Sequence, residues 1–154
     1  MTEKQKLLKQ LEALTRQSQR IINLLMDAEG EVEEEKMEEK NLNHEEDVIR
    51  DFLYSLGYNS GTLGYQNTIS AIKLKMHNKR IKIGDIYNII AEENNSTSNS
   101  VERTIRHSKE KMLEKPNEMV LDIFGKVLNQ KGNISNSKFI TVAAENVMAF
   151  CLVL

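Results

Sequence analysis

The first part of the chain carries apolar residues at alternating intervals of four and three residues. The positions of this heptad pattern are Leu7, Leu11, Leu14, Ser18, Ile21, Leu25, Ala28 and Val32, with Ser18 as the one polar member. Such spacing keeps one seam of a helix facing a partner helix, so it predicts a coiled coil that pairs two copies of the chain. Leu8, Ile22 and Leu24 widen the stripe, which leaves packing on the chain's own domain as the alternative.

An acidic run ends this seam. Residues 31–39 contain six Glu, and Glu35 and Glu39 occupy the next two core positions of the heptad pattern. A charge run of this kind is typical of a solvated helix end or a linker. We therefore expect the seam of the coiled coil to end at Val32.

From His44 onwards, apolar residues recur with the 3.6-residue period of α-helices. The six segments are 44–56, 64–77, 83–93, 98–114, 117–130 and 136–151. Gly57 provides a left-handed cap after the first segment, and Pro116 stands at the start of the fifth, where a first helical turn tolerates it. The pattern predicts an all-α protein, with a six-helix domain over 44–154 preceded by a coiled-coil and acidic helical segment over 1–43.

Composition separates the same two parts of the chain. Residues 1–43 carry ten acidic and seven basic side chains and no aromatic residue, whereas 44–154 carry thirteen acidic and fourteen basic side chains and every Tyr and Phe. The second part is therefore the one that forms a core. With one Pro and seven Gly in 154 residues, the turn chemistry that an all-β fold needs is scarce.

The chain offers little for catalysis or metal binding. Its one cysteine, Cys151, excludes a thiolate zinc site, and its histidines, His44, His77 and His107, are 33 and 30 residues apart. Neither a carboxylate pair nor a dinucleotide fingerprint is present. We expect no enzyme, no cofactor and no metal, and, because no leader or membrane-spanning run is seen, a cytoplasmic protein.

The most informative stretch is 83–115, where two amphipathic segments flank Asn94-Asn95-Ser96-Thr97. Asn tolerates left-handed backbone and Thr caps helices, which is the chemistry of a helix-turn-helix. Glu102 and Arg103 lie near the start of the second helix, where a Glu can accept from cytosine N4 and an Arg can pair with guanine. Lys109 and Lys111 lie further along it, where they reach phosphates at most. A charged surface helix is the alternative, although residues 73–115 carry a net charge of +4.

The string Ser100-Val101-Glu102-Arg103-Thr104-Ile105-Arg106-His107 resembles the recognition helix of a known family, the C-terminal effector domain of stage-zero sporulation protein A. The resemblance covers roughly residues 44–150. Its other segments are Leu56-Gly57, Gly64-Tyr65, Ile86-Tyr87, Ile90-Ala91, Ile123-Phe124-Gly125 and Asn136-Ser137-Lys138-Phe139-Ile140.

The resemblance implies a six-helix domain that binds double-stranded DNA. Glu102 and Arg103 would read base edges, while Arg106 and His107 would lie nearer the phosphates. It also implies that the last helix, 136–150, contributes to dimer contacts and that the region 115–130 meets RNA polymerase.

Departures from the family pattern shape the competing hypothesis. Ser100 stands where the family carries a basic residue, and the 43 residues before His44 are too few for the family's receiver domain, which needs about 100. We expect a stand-alone transcription regulator without the receiver, linked to sporulation control. The alternative is an interaction module or antagonist that pairs with another regulator through its heptads and last helix.

Overall fold

The computed structural model describes residues 2–153 of the chain. Within that range it does not describe the side chains of residues 27–42 and 152–153. That part of the chain is helical and contains no strand, which confirms the all-α prediction. It divides into two compact units, residues 1–43 and 44–154. The heptad positions Ala28 and Val32 and the acidic run 31–39 lie outside the described side chains.

The described residues contain six helices. They are α1 (Glu3–Ser55), α2 (Leu63–His77), α3 (Ile83–Glu93), α4 (Ser98–Glu114), α5 (Glu118–Phe124) and α6 (Asn136–Val153). The bounds of α3 and α4 agree with the sequence pattern. Over the same residues, none of the helices is both long enough and apolar enough to span a membrane.

The sequence pattern predicts that a separate helix begins near residue 43. In the structure, helix α1 instead continues through this residue. The segment 31–55 contains neither Pro nor Gly and is rich in Glu and Lys, so nothing in it stops a helix. The helix ends where Gly57 adopts a φ of 77° and the Tyr58 amide donates to the Leu53 carbonyl at 3.0 Å. This is the left-handed glycine cap that the sequence predicts.

Helix α5 is shorter than the predicted segment 117–130. After Phe124 the chain turns, and the Asn129 side-chain oxygen accepts hydrogen bonds from the backbone amides of Lys131 and Asn133, both at 3.0 Å. Asn side chains that bond nearby amides compete with helix formation in this way. The loop 125–135 that results delivers Ile134, which is buried, to the core.

The core of unit 44–154 forms where α2 packs against α4 and α6, and α3 packs against α4. Phe124 and Phe139 are fully buried with their ring centroids 5.2 Å apart, and Tyr58 stacks on Phe139 at 6.2 Å. The Tyr58 hydroxyl shares a 2.7 Å hydrogen bond with Thr68, and burial raises the pKa of Tyr58 to about 12. These contacts hold α2, α5 and α6 together behind α4.

Unit 1–43 consists of the first part of α1. The predicted seam residues Leu7, Leu11, Leu14, Ile21 and Leu25 are all 59–61% exposed. Within unit 1–43 this stripe therefore lies at the surface of the helix.

Candidate nucleic-acid interface

The turn between α3 and α4 is built by asparagine and threonine, as the sequence predicts. Asn95 adopts a φ of 50°, and the Ser96 amide donates to the Ala91 carbonyl at 2.9 Å to close the end of α3. The Thr97 hydroxyl then accepts from the Ser100 amide at 3.1 Å and caps α4. These local bonds fix the direction in which α4 leaves the turn.

The inner face of α4 is locked into the core. Val101, Ile105 and Met112 are buried at 1%, 0% and 6% exposure. Gly64 lies so close to α4 that a Cβ on it would collide with the Thr104 carbonyl oxygen and with the Ser108 side chain. Glycine at this position therefore allows α2 and α4 to approach at backbone contact distance.

A buried polar cluster ties α2 to the turn and to α4. The Asn67 amide donates to the Thr104 hydroxyl at 2.8 Å, and its carbonyl oxygen accepts from the Asn94 amide at 3.3 Å. Asn67 is only 3% exposed, so these bonds offset the cost of burying it. Asn67 is not among the residues that the sequence pattern singled out. A polar residue between Tyr65 and Ile69 on an apolar helix face is nevertheless a detectable signal.

The start of α6 holds the opposite side of α4. The Asn136 amide donates to the Tyr87 hydroxyl at 3.1 Å and to the Glu102 backbone carbonyl at 3.2 Å. Burial raises the pKa of Tyr87 above the usual value for tyrosine. Asn136 thus joins α3, α4 and α6 at the level of the predicted base-reading residues.

Lys109 departs from the sequence expectation. Its side chain is 3% exposed, and its ammonium donates to the Ile134 backbone carbonyl in the loop before α6. Burial lowers the pKa of Lys109. The expected phosphate contact by Lys109 is wrong, because its spacing from Ile105 and Met112 turns it toward the core, where a carbonyl holds it.

The outer face of α4 presents a basic stripe, defined by Arg103, His107, Lys111 and Lys115 at intervals of four residues. All four side chains are exposed. Beside the stripe lies a cleft of about 730 Å³ between α4 and the start of α2, lined by His107, Lys111 and Lys115 together with Glu114. A row of basic side chains along α4 and its C-cap residue is suited to an extended anionic ligand such as a nucleic-acid backbone.

Next to this stripe, Glu102 and Arg106 form an ion pair within α4. The Arg106 guanidinium donates to both carboxylate oxygens of Glu102, at 2.9 and 3.2 Å. Exposed pairs one turn apart contribute only about 0.3–0.5 kcal/mol to stability, so the pair can open when another partner arrives. Its geometric effect is to hold the Glu102 carboxylate at the helix surface beside Arg103.

The remaining candidate residues do not form a second site. His77 pairs with Glu45 at 2.8 Å, and within the described residues no three metal-ligating side chains come together. Cys151 is half-buried, and burial raises the pKa of its thiol. A raised pKa keeps the sulfur protonated and unreactive at neutral pH.

Comparison with protein families identifies this arrangement. Residues 49–147 match the family model described as the sporulation initiation factor Spo0A C terminal. The matched segment contains the whole of α2, α3, α4 and α5, and it confirms the resemblance found in the sequence. No curated protein matches the chain.

Proposed function

The chain belongs to the Spo0A C-terminal family of DNA-binding domains, which is a regulatory family and not one of enzymes, and we propose that it is a sequence-specific transcription regulator linked to sporulation control. We also propose that it acts in the cytoplasm. The observation that carries the proposal is the exposed Arg103 beside Glu102 on a helix whose other face is fixed by the core.

In this proposal α4 enters the major groove of double-stranded DNA. Arg103 pairs with the O6 and N7 atoms of a guanine, and Glu102 accepts a hydrogen bond from a cytosine amino group. The ion pair with Arg106 supports this role, because it keeps the Glu102 carboxylate at the surface before DNA arrives. Asn136 supports it from below by holding the Glu102 backbone.

Phosphates are contacted by the basic residues that flank the base-reading pair. Arg106, His107 and Lys111 take this role, and Lys115 extends the row by one turn. Lys109 has no part in it, because its ammonium is used inside the domain. Each phosphate contact releases counterions, so binding by this face is expected to weaken steeply with salt.

The N-terminal helix pairs copies of the chain, so that two domains address two half-sites. The exposed seam of Leu7, Leu11, Leu14, Ile21 and Leu25 supports this homodimer, because a soluble helix rarely leaves such a stripe uncovered. Pairing also doubles the cations that one assembly offers to DNA. The contact with RNA polymerase that the resemblance implies is assigned to α5, which exposes Met119 and Leu121.

The test compares Arg103→Ala with Lys111→Ala on duplexes selected by the wild-type chain and on random duplexes. Arg103→Ala should lose about 1–3 kcal/mol on selected duplexes only and relax the preference at one base pair. Lys111→Ala is the matched control, since it should weaken binding to both duplexes alike and lower the salt slope by about one.

Two results would contradict the proposal. Equal losses on selected and random duplexes for both variants would exclude base reading by α4. A wild-type chain that binds no DNA at low salt would leave the interaction module as the better account.

A further inference from the structure

The apolar stripe of the N-terminal helix is wider than a two-stranded seam. In heptad terms Leu11, Ser18 and Leu25 are a positions, and Leu7, Leu14 and Ile21 are d positions. The flanking e and g positions, which carry charge in ordinary two-stranded coils, here hold only apolar or uncharged residues. These are Leu8, Gln10, Thr15, Gln17, Ile22 and Leu24.

Charge is confined to the outer face of this helix. Between residues 5 and 26 every charged side chain falls at a b, c or f position, the ones farthest from the seam. They are Lys6, Lys9, Glu12, Arg16 and Arg20. The apolar side chains from Leu7 to Met26 are 44–70% exposed. The a, d, e and g positions from Leu7 to Leu25 are therefore uncharged, and eight of the twelve are apolar.

Two strands would leave much of this surface in water. A two-stranded coil buries the a and d positions, so Leu8, Ile22 and Leu24 would remain at its rim. Its seam would also be weak, because it spans about three heptads with Ser18 at a central a position. Ile21 is the one Ile at a d position and is followed by Leu25 at an a position, a combination that favours more than two strands.

The charge along the helix favours an antiparallel arrangement of neighbours. Residues 3–20 carry five basic and two acidic side chains, whereas residues 27–43 carry eight acidic and two basic ones. Parallel neighbours would place acidic segment beside acidic segment. Antiparallel neighbours centred near Ser18 would place residues 3–9 of one chain, with three Lys and one Glu, beside residues 27–33 of the next, with four acidic side chains.

We propose that two of the pairs described above associate further, so that four copies of the chain form an antiparallel four-helix bundle through residues 7–26, and that one such assembly bridges two separate DNA segments. The chain continues from the C-terminal end of each helix, so two domains emerge at each end of the bundle. Each end then presents the pair of domains that two half-sites require. The bridging of DNA rests on the proposed function, whereas the assembly itself does not.

Sedimentation equilibrium of the full chain tests the assembly without DNA. The expected mass is about 71 kDa, four times the 17.7 kDa of one chain. The triple variant Leu8→Gln, Ile22→Gln, Leu24→Gln should fall to two chains or one. The outer-face control Lys9→Gln, Glu12→Gln, Arg16→Gln should stay at four. A wild-type mass of one or two chains overturns the assembly.

Salt tests the orientation in the same experiment. Antiparallel neighbours are held partly by opposite charges, so raising the salt from about 50 to 500 mM should weaken the assembly. Parallel neighbours repel through their acidic segments, so an assembly that strengthens with salt overturns the antiparallel arrangement.

Capture of a second duplex tests bridging. The wild-type chain, bound to an immobilised duplex, should retain a labelled duplex that the triple variant does not retain, although the variant still binds single duplexes. If the assembly has the mass of four copies and binds single duplexes but captures no second duplex, only the bridging of DNA is overturned. Failure to bind any duplex contradicts the proposed function and leaves the sedimentation result in force.

Discussion

Helix α4 and the first 24 residues of α1 are both amphipathic, but their apolar faces have opposite fates. In α4 the residues Val101, Ile105 and Met112 are buried, whereas Leu11 and Leu14 of α1 are 59–60% exposed. The difference follows from what each stripe meets within its own chain. Helix α4 packs on α2 and α3 within unit 44–154, while unit 1–43 is one helical segment and offers its heptads no second helix. Periodicity thus identifies an apolar face without saying which molecule covers it.

The largest expected difference between the two helices comes from truncating one side chain on the apolar face of each. Ile105→Ala removes a fully buried side chain, and we expect it to destabilise the domain by about 2–5 kcal/mol. Leu14→Ala should leave the unfolding of the domain unchanged and weaken only the association of chains. Urea unfolding and sedimentation separate the two effects. A domain destabilised equally by Leu14→Ala would mean that the heptads pack on the chain's own core.

Burial of Tyr58 should also make the free energy of unfolding of the domain depend on pH in the alkaline range. Tyr58 has a pKa of about 12 in the folded domain, against about 10 for an exposed tyrosine. Between these values the unfolded chain loses the proton that the folded one keeps. The contribution of Tyr58 to the free energy of unfolding is therefore fully present below pH 10. It is lost as the pH rises toward 12, which lowers the free energy of unfolding by up to about 3 kcal/mol.

Urea unfolding from pH 9 to 12 measures this loss. Tyr58→Phe should remove the corresponding slope, whereas Tyr54→Phe is the matched control, because Tyr54 is 84% exposed. A slope that survives in Tyr58→Phe would show that another group titrates.

The smallest effects should distinguish two lysines of α4. Lys109→Ala leaves the Ile134 carbonyl without its donor, so we expect a loss of about 1–3 kcal/mol in the free energy of unfolding. Lys111→Ala should change that free energy by less than about 0.5 kcal/mol while weakening DNA binding. Thermal melting and a DNA titration together separate the roles. If Lys109→Ala weakens binding with no loss of stability, Lys109 contacts phosphate after all.

Much of the architecture could be predicted because it rests on local chemistry. Asn95 takes the left-handed backbone, Thr97 caps α4 and Gly57 caps α1, since each of these roles depends on the residue and its immediate neighbours. The end of α5 could not be predicted in the same way. It depends on whether Asn129 bonds the amides of a turn or leaves them to a helix, and the residue type alone permits both.

The sequence by itself determined the helical class, the turn chemistry before α4, and the family whose recognition string runs from Ser100 to His107. These follow from spacing and from residue type, which are properties of the chain before it folds. Only the tertiary structure decided that Lys109 faces the Ile134 carbonyl and that Asn136 holds the backbone of Glu102. Those contacts join residues 25 and 34 positions apart, and a pairing at that distance exists only once the loop before α6 has packed against α4.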